Sequence, residues 1–257
     1  MRNFKVFYRT AVGLILGLGW SLSAMAEPFS TVTGQKIAVP SYFYPGGGWN
    51  QLRQGAPTVG LAIINPNSGP GTQQDANYVH EVDASKASGV RVLGYVATGY
   101  GTRSQAAIKA DIAKYLRWYA VDGIFLDEAP YSCLRKPYYQ SLYQHIKAAQ
   151  PDATVVINPG DVTGECFMQT ADIIVNFEGS HAAYQKWQPA GWETRYTADR
   201  FWHLVYNTSL VNLSATVGLS KQRHAGWIYV TPDRMNNPWD TLPSRAYWRQ
   251  EVEQVSQ

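Results

Sequence analysis

Asp122-Gly-Ile-Phe-Leu-Asp-Glu128 sets three consecutive large apolar residues between a glycine and a pair of acids. A run without polar alternation suits a strand buried on both faces, as in a parallel sheet covered by helices. The acids can end such a strand but cannot sit unpaired inside it, because a lone buried charge is costly. Asp172-Ile-Ile-Val-Asn-Phe-Glu178 has the same build and the same acidic end.

Working outward, similar short runs occupy Lys36–Phe43, Val59–Asn65, Val90–Ala97, Thr154–Asn158, Phe201–Tyr206 and Gly226–Thr231, which with the first two makes eight. Helical patterns lie between them. In Gln105–Tyr119, Ile108, Ile112, Tyr115, Leu116 and Tyr119 recur at three-to-four spacing, which gives one apolar face. Pro137–Ala149 reads as a second helix, and Ser244–Val255 as a last one starting from a Ser N-cap. Eight strand signals, each followed by a helix or long connection, predict an α/β fold, a single (β/α)8 TIM barrel. A doubly wound open sheet is the alternative that the same alternation permits. No Gly-x-Gly-x-x-Gly follows the first strand and no P-loop is present, which weakens its nucleotide-binding form.

Composition narrows the function classes. Of 257 residues, 16% are charged, against about a quarter in ordinary domains, and 13% are aromatic. The formal charge is +3. Arg2, Lys5 and Arg9, an apolar run from Ala11 to Leu22 and Ala24-Met25-Ala26 predict a secretory leader over residues 1–26. The apolar run is shorter than the roughly twenty residues a spanning helix needs, so no stable membrane anchor is expected. Removal of that leader would leave residues 27–257 as one barrel domain, formally neutral and secreted or periplasmic. A neutral surface argues against nucleic acid as a partner. Cys133 and Cys166, an even count in an exported chain, predict a disulfide, with buried free thiols as the alternative.

A barrel collects its chemistry where the strands end, in the βα loops. Those ends here carry Asp127 with Glu128, Glu178, Asn65, Asn158, Tyr206 and Asp233. Glycoside hydrolysis needs two carboxyl groups, one acid and one nucleophile or base. Asp127 and Glu178, on the fourth and sixth strands, should have Cα atoms about 9–10 Å apart and carboxyl groups about 5–7 Å apart. Successive strand residues face opposite ways, so Asp127 and Glu128 are not expected to point inward together. Asp127 shares parity with Phe125, and Glu178 shares parity with Asn176, a polar residue suited to the barrel mouth. The expected working pair is therefore Asp127 and Glu178, with Glu128 orienting neighbours or holding sugar; a bend at the strand end would swap these roles.

His80, His145, His181, His203 and His224 lack metal-ligand spacing, and no Gly-x-Ser-x-Gly elbow occurs. Neither a metal nor an organic cofactor is expected, and His203 reads as a core histidine. Tyr42, Tyr44, Trp49, Tyr100, Tyr206 and Trp239 fall near strand ends or in the following loops. Aromatic faces stack on the apolar faces of sugar rings, so a polysaccharide is the expected partner, held by these residues with Asn65, Asn158, Asn176 and Asp233. A protein interface would use the same residue types.

At these residues the sequence resembles the spherulin-4-like family, also classified as glycoside hydrolase family 135. The matching pieces are Val39-Pro-Ser-Tyr-Phe-Tyr-Pro45, Ile64-Asn-Pro-Asn-Ser-Gly-Pro-Gly71, Gly94-Tyr-Val-Ala-Thr-Gly-Tyr-Gly101, Asp122-Gly-Ile-Phe-Leu-Asp-Glu128, Asn158-Pro-Gly160 and Asn176-Phe-Glu178. The resemblance implies a (β/α)8 barrel acting on α-1,4-linked, galactosamine-containing exopolysaccharide such as galactosaminogalactan. It implies Asp127 as nucleophile or its equivalent, Glu178 as general acid/base and Glu128 as an essential third carboxylate. Relatives bearing the spherulin name also include cell-surface proteins, so a non-catalytic polysaccharide-binding or structural barrel is the alternative.

Overall fold

The structure, a computed structural model, describes residues 32–257. The expected leader at residues 1–26 lies outside the described residues. Eight parallel strands close into a barrel in chain order. They are β1 (Lys36–Pro40), β2 (Val59–Ile64), β3 (Arg91–Ala97), β4 (Gly123–Asp127), β5 (Thr154–Ile157), β6 (Ile173–Ser180), β7 (Phe201–Tyr206) and β8 (Trp227–Val230). The helices are α1 (Gly47–Arg53), α2 (Ala76–Ala87), α3 (Gln105–Tyr119), α4 (Lys136–Ala149), α5 (His181–Tyr184), α6 (Leu210–Gln222) and α7 (Arg245–Ser256). The single (β/α)8 barrel expected from the sequence is therefore the fold, with β1 pairing back onto β8 through Lys36–Trp227 and Ile37–Ile228.

Every residue of β2, β5 and β8 is buried, which is why these runs lack alternation. The interior is read from ring contacts that cross it. Phe125 on β4 meets Trp202 on β7 at 5.8 Å between centroids, and those strands are not neighbours, so both rings point inward. Tyr95 on β3 stacks on Phe125 at 6.3 Å. Gly94 faces the other way: a Cβ there would overlap the Tyr115 ring, so α3 sits directly against β3. Asp127, two residues beyond Phe125, inherits the inward face.

The acids at the opposite ends of the two diagnostic runs lace the bottom of the barrel. Asp122 accepts the Val92 amide at 2.8 Å and pairs with Lys86 at 3.1 Å. Asp172 accepts the Val155 amide at 2.8 Å, pairs with Lys147 at 2.8 Å and accepts the Tyr143 hydroxyl at 3.0 Å. These contacts bind neighbouring strands and serve stability, as residues on this face of a barrel do.

The sixth βα unit departs from the regular pattern. Its helix, α5, has four residues, and the chain then runs through two short helical turns to β7. Phe177, Tyr184, Trp187 and His203 fill the gap as an aromatic cluster, with the Arg223 guanidinium 4.8 Å over the Tyr184 ring. His203 is a core histidine, fully buried, its Nδ1 2.7 Å from the Tyr184 hydroxyl. Burial first, then Arg223 and His224, pushes its pKa down to about 3, so the ring is neutral.

Cys133 and Cys166 form a disulfide, with 6.0 Å between Cα atoms. It ties the loop after β4 to the loop after β5, where the Gly164 amide and the Thr163 hydroxyl donate to the Tyr131 carbonyl at 3.3 and 3.1 Å. Closing a loop across 33 residues restricts the unfolded chain by about 3–4 kcal/mol. The double variant Cys133→Ser, Cys166→Ser is expected to lose about that much in urea unfolding, with a somewhat larger m-value because the uncrosslinked unfolded chain exposes more surface. A loss below about 1 kcal/mol would contradict it.

Candidate active site

Asp127 ends β4 and faces the mouth of the barrel, recessed but still open to solvent. The Tyr95 hydroxyl, the Asn158 side chain and the Glu128 amide all donate to its carboxyl group. Burial raises its pKa, these three donors pull it down, and the neighbouring Glu128 charge raises it again; the net direction is up.

Glu128 lines the same cavity, contrary to the expectation from strand alternation. Its backbone is left-handed, with φ 55°, which ends the strand and swings the side chain back to the mouth. A non-glycine residue there is strained and persists only where its surroundings fix it. They do: the Glu128 carboxylate accepts the Gly99 amide at 3.0 Å, and its carbonyl accepts the Tyr100 amide at 2.7 Å and the Thr98 hydroxyl at 2.8 Å. Tyr100 and Asn207, at the ends of β3 and β7, are left-handed too, with φ 54° each.

Glu178 reaches the mouth by a different device. β6 does not end at Phe177 but runs on to Ser180, and its pairing with β7 slips. Val175 pairs with Trp202 and Phe177 with His203, so Asn176 is one extra residue, a bulge. Strict alternation from the inward Val175 would put Phe177 inside and Glu178 outside. The bulge reverses this. Phe177 packs outward on Tyr184 and Trp187, while Glu178 pairs with Leu204 and lines the cavity. The parity shared by Asn176 and Glu178 is thus broken, and Asn176 is fully buried with neither side-chain polar atom partnered.

One side chain joins the two acids. The Asn158 amide nitrogen donates to Asp127 Oδ1 at 2.9 Å and to Glu178 Oε2 at 2.6 Å. Two legs meeting at one nitrogen place these oxygens at most about 5.5 Å apart, on the side of the roughly 5–5.5 Å separation of retaining glycosidases and not the 6.5–9.5 Å of inverting ones. Trp239 Nε1 donates to the other Glu178 oxygen at 3.2 Å. Burial raises the Glu178 pKa, the Asp127 charge raises it further, and the Asn158 and Trp239 donors oppose both. Three donors favour the ionised form of Asp127 and two that of Glu178.

The cavity has a volume of about 340 Å³. Besides the three acids it is lined by Tyr100, Tyr131, Asn158, Pro159, Gly160, Tyr206 and Met235, with no Lys or Arg among them. Three carboxyl groups without a countercharge favour a ligand or transition state carrying positive charge. Tyr100 and Tyr131 are more than half exposed at the rim. Among the described residues no group of three or more His, Cys, Asp or Glu is arranged to hold a metal ion, and no helix is long and apolar enough to cross a membrane.

Of the sugar-binding residues expected from the sequence, Tyr100, Asn158 and Tyr206 line this cavity. Tyr42 lies beneath it, 5.4 Å from Tyr95 between ring centroids, its pKa raised by burial and then by Asp127. Tyr95, within β3, is an acid-contacting residue. The structure gives several others different surroundings. Trp49 is fully buried and its indole donates to the Phe43 carbonyl, so it offers no stacking face. Asn65 spends its side-chain oxygen on the Gly69 amide, closing its own loop at 2.8 Å. Asp233 accepts the Arg234 amide and the Thr241 hydroxyl, fixing the loop after β8. Asn176 serves the bulge. Trp239 is 5% exposed and holds Glu178 instead of offering an open face. Tyr44 is exposed but lies in a separate cavity.

Residues 36–255 match the family model described as Spherulation-specific family 4. The chain belongs to that family. Spherulin-4 of Physarum polycephalum is 33% identical to this family member over 208 residues, covering 76% of this chain, and the match spans 63% of that relative's length. The crystal structure of Aspergillus clavatus Sph3 in complex with GalNAc superposes with a TM-score of 0.77 at 27% identity, covering 91% of this chain and all of that one. A chitinase from Chromobacterium violaceum superposes with a TM-score of 0.60 at 10% identity over 86% of this chain and 99% of its own, a likeness of fold. The spherulin-4 barrel thus shares its architecture with glycoside hydrolases.

Proposed function

We propose that the protein is a glycoside hydrolase that cleaves α-1,4-linked exopolysaccharide containing N-acetylgalactosamine and galactosamine, acting within the chain by a retaining two-carboxylate mechanism. The observation that carries this reading is the Asn158 amide bridging Asp127 and Glu178 at 2.9 and 2.6 Å. That spacing leaves room for one glycosidic bond between the acids and too little for an additional water. Family membership and the likeness to a barrel bound to GalNAc support the substrate class.

In this mechanism Glu178 protonates the glycosidic oxygen while ionised Asp127 attacks the anomeric carbon, forming a glycosyl-enzyme. Glu178, now ionised, takes a proton from water, which attacks the same carbon and releases Asp127. Glu128 adds negative charge beside the oxocarbenium-like transition state. The hydroxyl of Tyr95 and the indole of Trp239 hold the two acids in position. Neutral phenol is required for that donation, and the raised pKa of Tyr95, from burial and then Asp127, keeps it protonated.

Activity needs Asp127 ionised and Glu178 protonated. It should rise with pH as Asp127 ionises and fall as Glu178 deprotonates, and both limbs should lie above the ordinary carboxylate range because both pKa values are raised. A kcat/KM profile against pH tests this; a maximum below about pH 4 would contradict it. Proton NMR of the first product is expected to show the α-anomer. Initial β-anomer would overturn the retaining mechanism.

A further inference from the structure

A second cavity, of about 520 Å³, opens beside the candidate active site and shares no lining residue with it. It lies between the loop after β1, with Phe43, Tyr44, Gly47 and Gly48, and the loop after β8, with Asp240 and Thr241. The loop after β8 walls both cavities: Met235 lines the first and Asp240 the second, with Trp239 between them on Glu178. The Tyr42 amide donates to the Trp239 carbonyl at 3.0 Å, binding the loop after β1 to this divider.

Tyr44 is 57% exposed yet fixed on two sides. Its hydroxyl donates to Asp75 at 2.9 Å and accepts from Asn77 at 2.7 Å, and its ring meets Tyr78 edge-on at 5.4 Å. Folding gains little from an exposed ring, while a held ring with one free face is ready to stack without losing rotamer freedom. The adjoining glycines keep the floor low. A Cβ on Gly47 would meet nothing within 4 Å, so any side chain there would enter open space.

Resting on the hydrolase reading above, we propose that this cavity is a further subsite that binds a hexosamine unit of the same polysaccharide chain, beyond the units held at the bond being cut. Tyr44 supplies the stacking face, and Asp240 supplies a polar contact to hydroxyl or amino groups. A subsite of this kind draws the enzyme to long chains and to internal bonds.

Binding to the Glu178→Gln protein, followed by calorimetry with galactosamine-containing oligosaccharides of increasing length, tests it. Affinity is expected to rise once the oligomer is long enough to span both cavities. Tyr44→Ala and Gly47→Leu, each added to Glu178→Gln, should remove about five- to tenfold of that gain. Gly47→Leu adds a side chain at the cavity wall from a position outside the left-handed region, so it keeps the test valid if Tyr44→Ala disturbs its neighbours. Affinity that does not grow with length, or the same growth in both variants, overturns the subsite even if the wild type cuts polymer. Growth that both variants abolish, with no product from the wild type, supports the subsite and sinks the hydrolase reading.

Discussion

Asp127→Asn and Glu178→Gln, made singly, are expected to lower kcat on the galactosamine polymer by about 10²–10⁴-fold each while leaving the protein as stable at pH 7 or more so. The loss of rate follows from the roles: an amide neither attacks an anomeric carbon nor gives its proton to a leaving oxygen. The stability result follows from the raised pKa of both acids. Below the unfolded value, about 4, both states hold the proton and the folded state carries no penalty. As pH rises through the folded value the native protein must bear a buried ionised group, and stability falls. The amide variants lack that loss, so their thermal midpoints should match or exceed the wild type at pH 7 and converge with it below about pH 4. A midpoint at pH 7 several degrees below the wild type would show that the acids serve the fold.

The second large effect concerns Asn158. Asn158→Ala removes the donor common to both acids, and hydrogen bonds to charged groups contribute about 1.5–3 kcal/mol, so kcat should fall about 10–10²-fold. Asn158→Asp is the more informative change. It places a fourth carboxyl group in the cavity, where the amide touched Asp127 and Glu178 at 2.9 and 2.6 Å, with Glu128 close by. Like charges so close cannot all ionise, so both limbs of the pH profile should move upward and the optimum with them. The Ala variant loses a donor that lowers both pKa values but adds no charge, so its limbs should move upward by less. Equal profiles for the two variants would show that Asn158 acts only by filling space.

The barrel was legible because parallel strands buried on both faces leave runs such as Gly123–Asp127 and Thr154–Asn158, whose bounds shifted by at most a residue in the structure. The two acids were legible for the same reason, since a charge is tolerated at the end of such a run and not within it. How they reach the mouth was not. A bulge leaves no mark in Val-Asn-Phe-Glu, where the extra Asn176 looks like one more alternating residue. Left-handed backbone at Glu128 is imposed by the Gly99 amide and Thr98 hydroxyl across the neighbouring strand, contacts that sequence order does not reveal. Trp49, Asn65 and Asp233 were read as sugar contacts because loop aromatics and loop acceptors look alike whether they meet a ligand or close their own loop. The role of Tyr95 is not legible for the opposite reason: an inward tyrosine in a buried strand resembles core until the acid it donates to is seen.

The most direct test of the account is release of soluble oligosaccharide from partially deacetylated, α-1,4-linked poly-N-acetylgalactosamine, followed by mass spectrometry for the wild type, Asp127→Asn and Glu178→Gln side by side. Oligomers of mixed length from the wild type and none from either variant are the predicted result. Equal release by all three, or binding of the polymer by the wild type with no release, would contradict it.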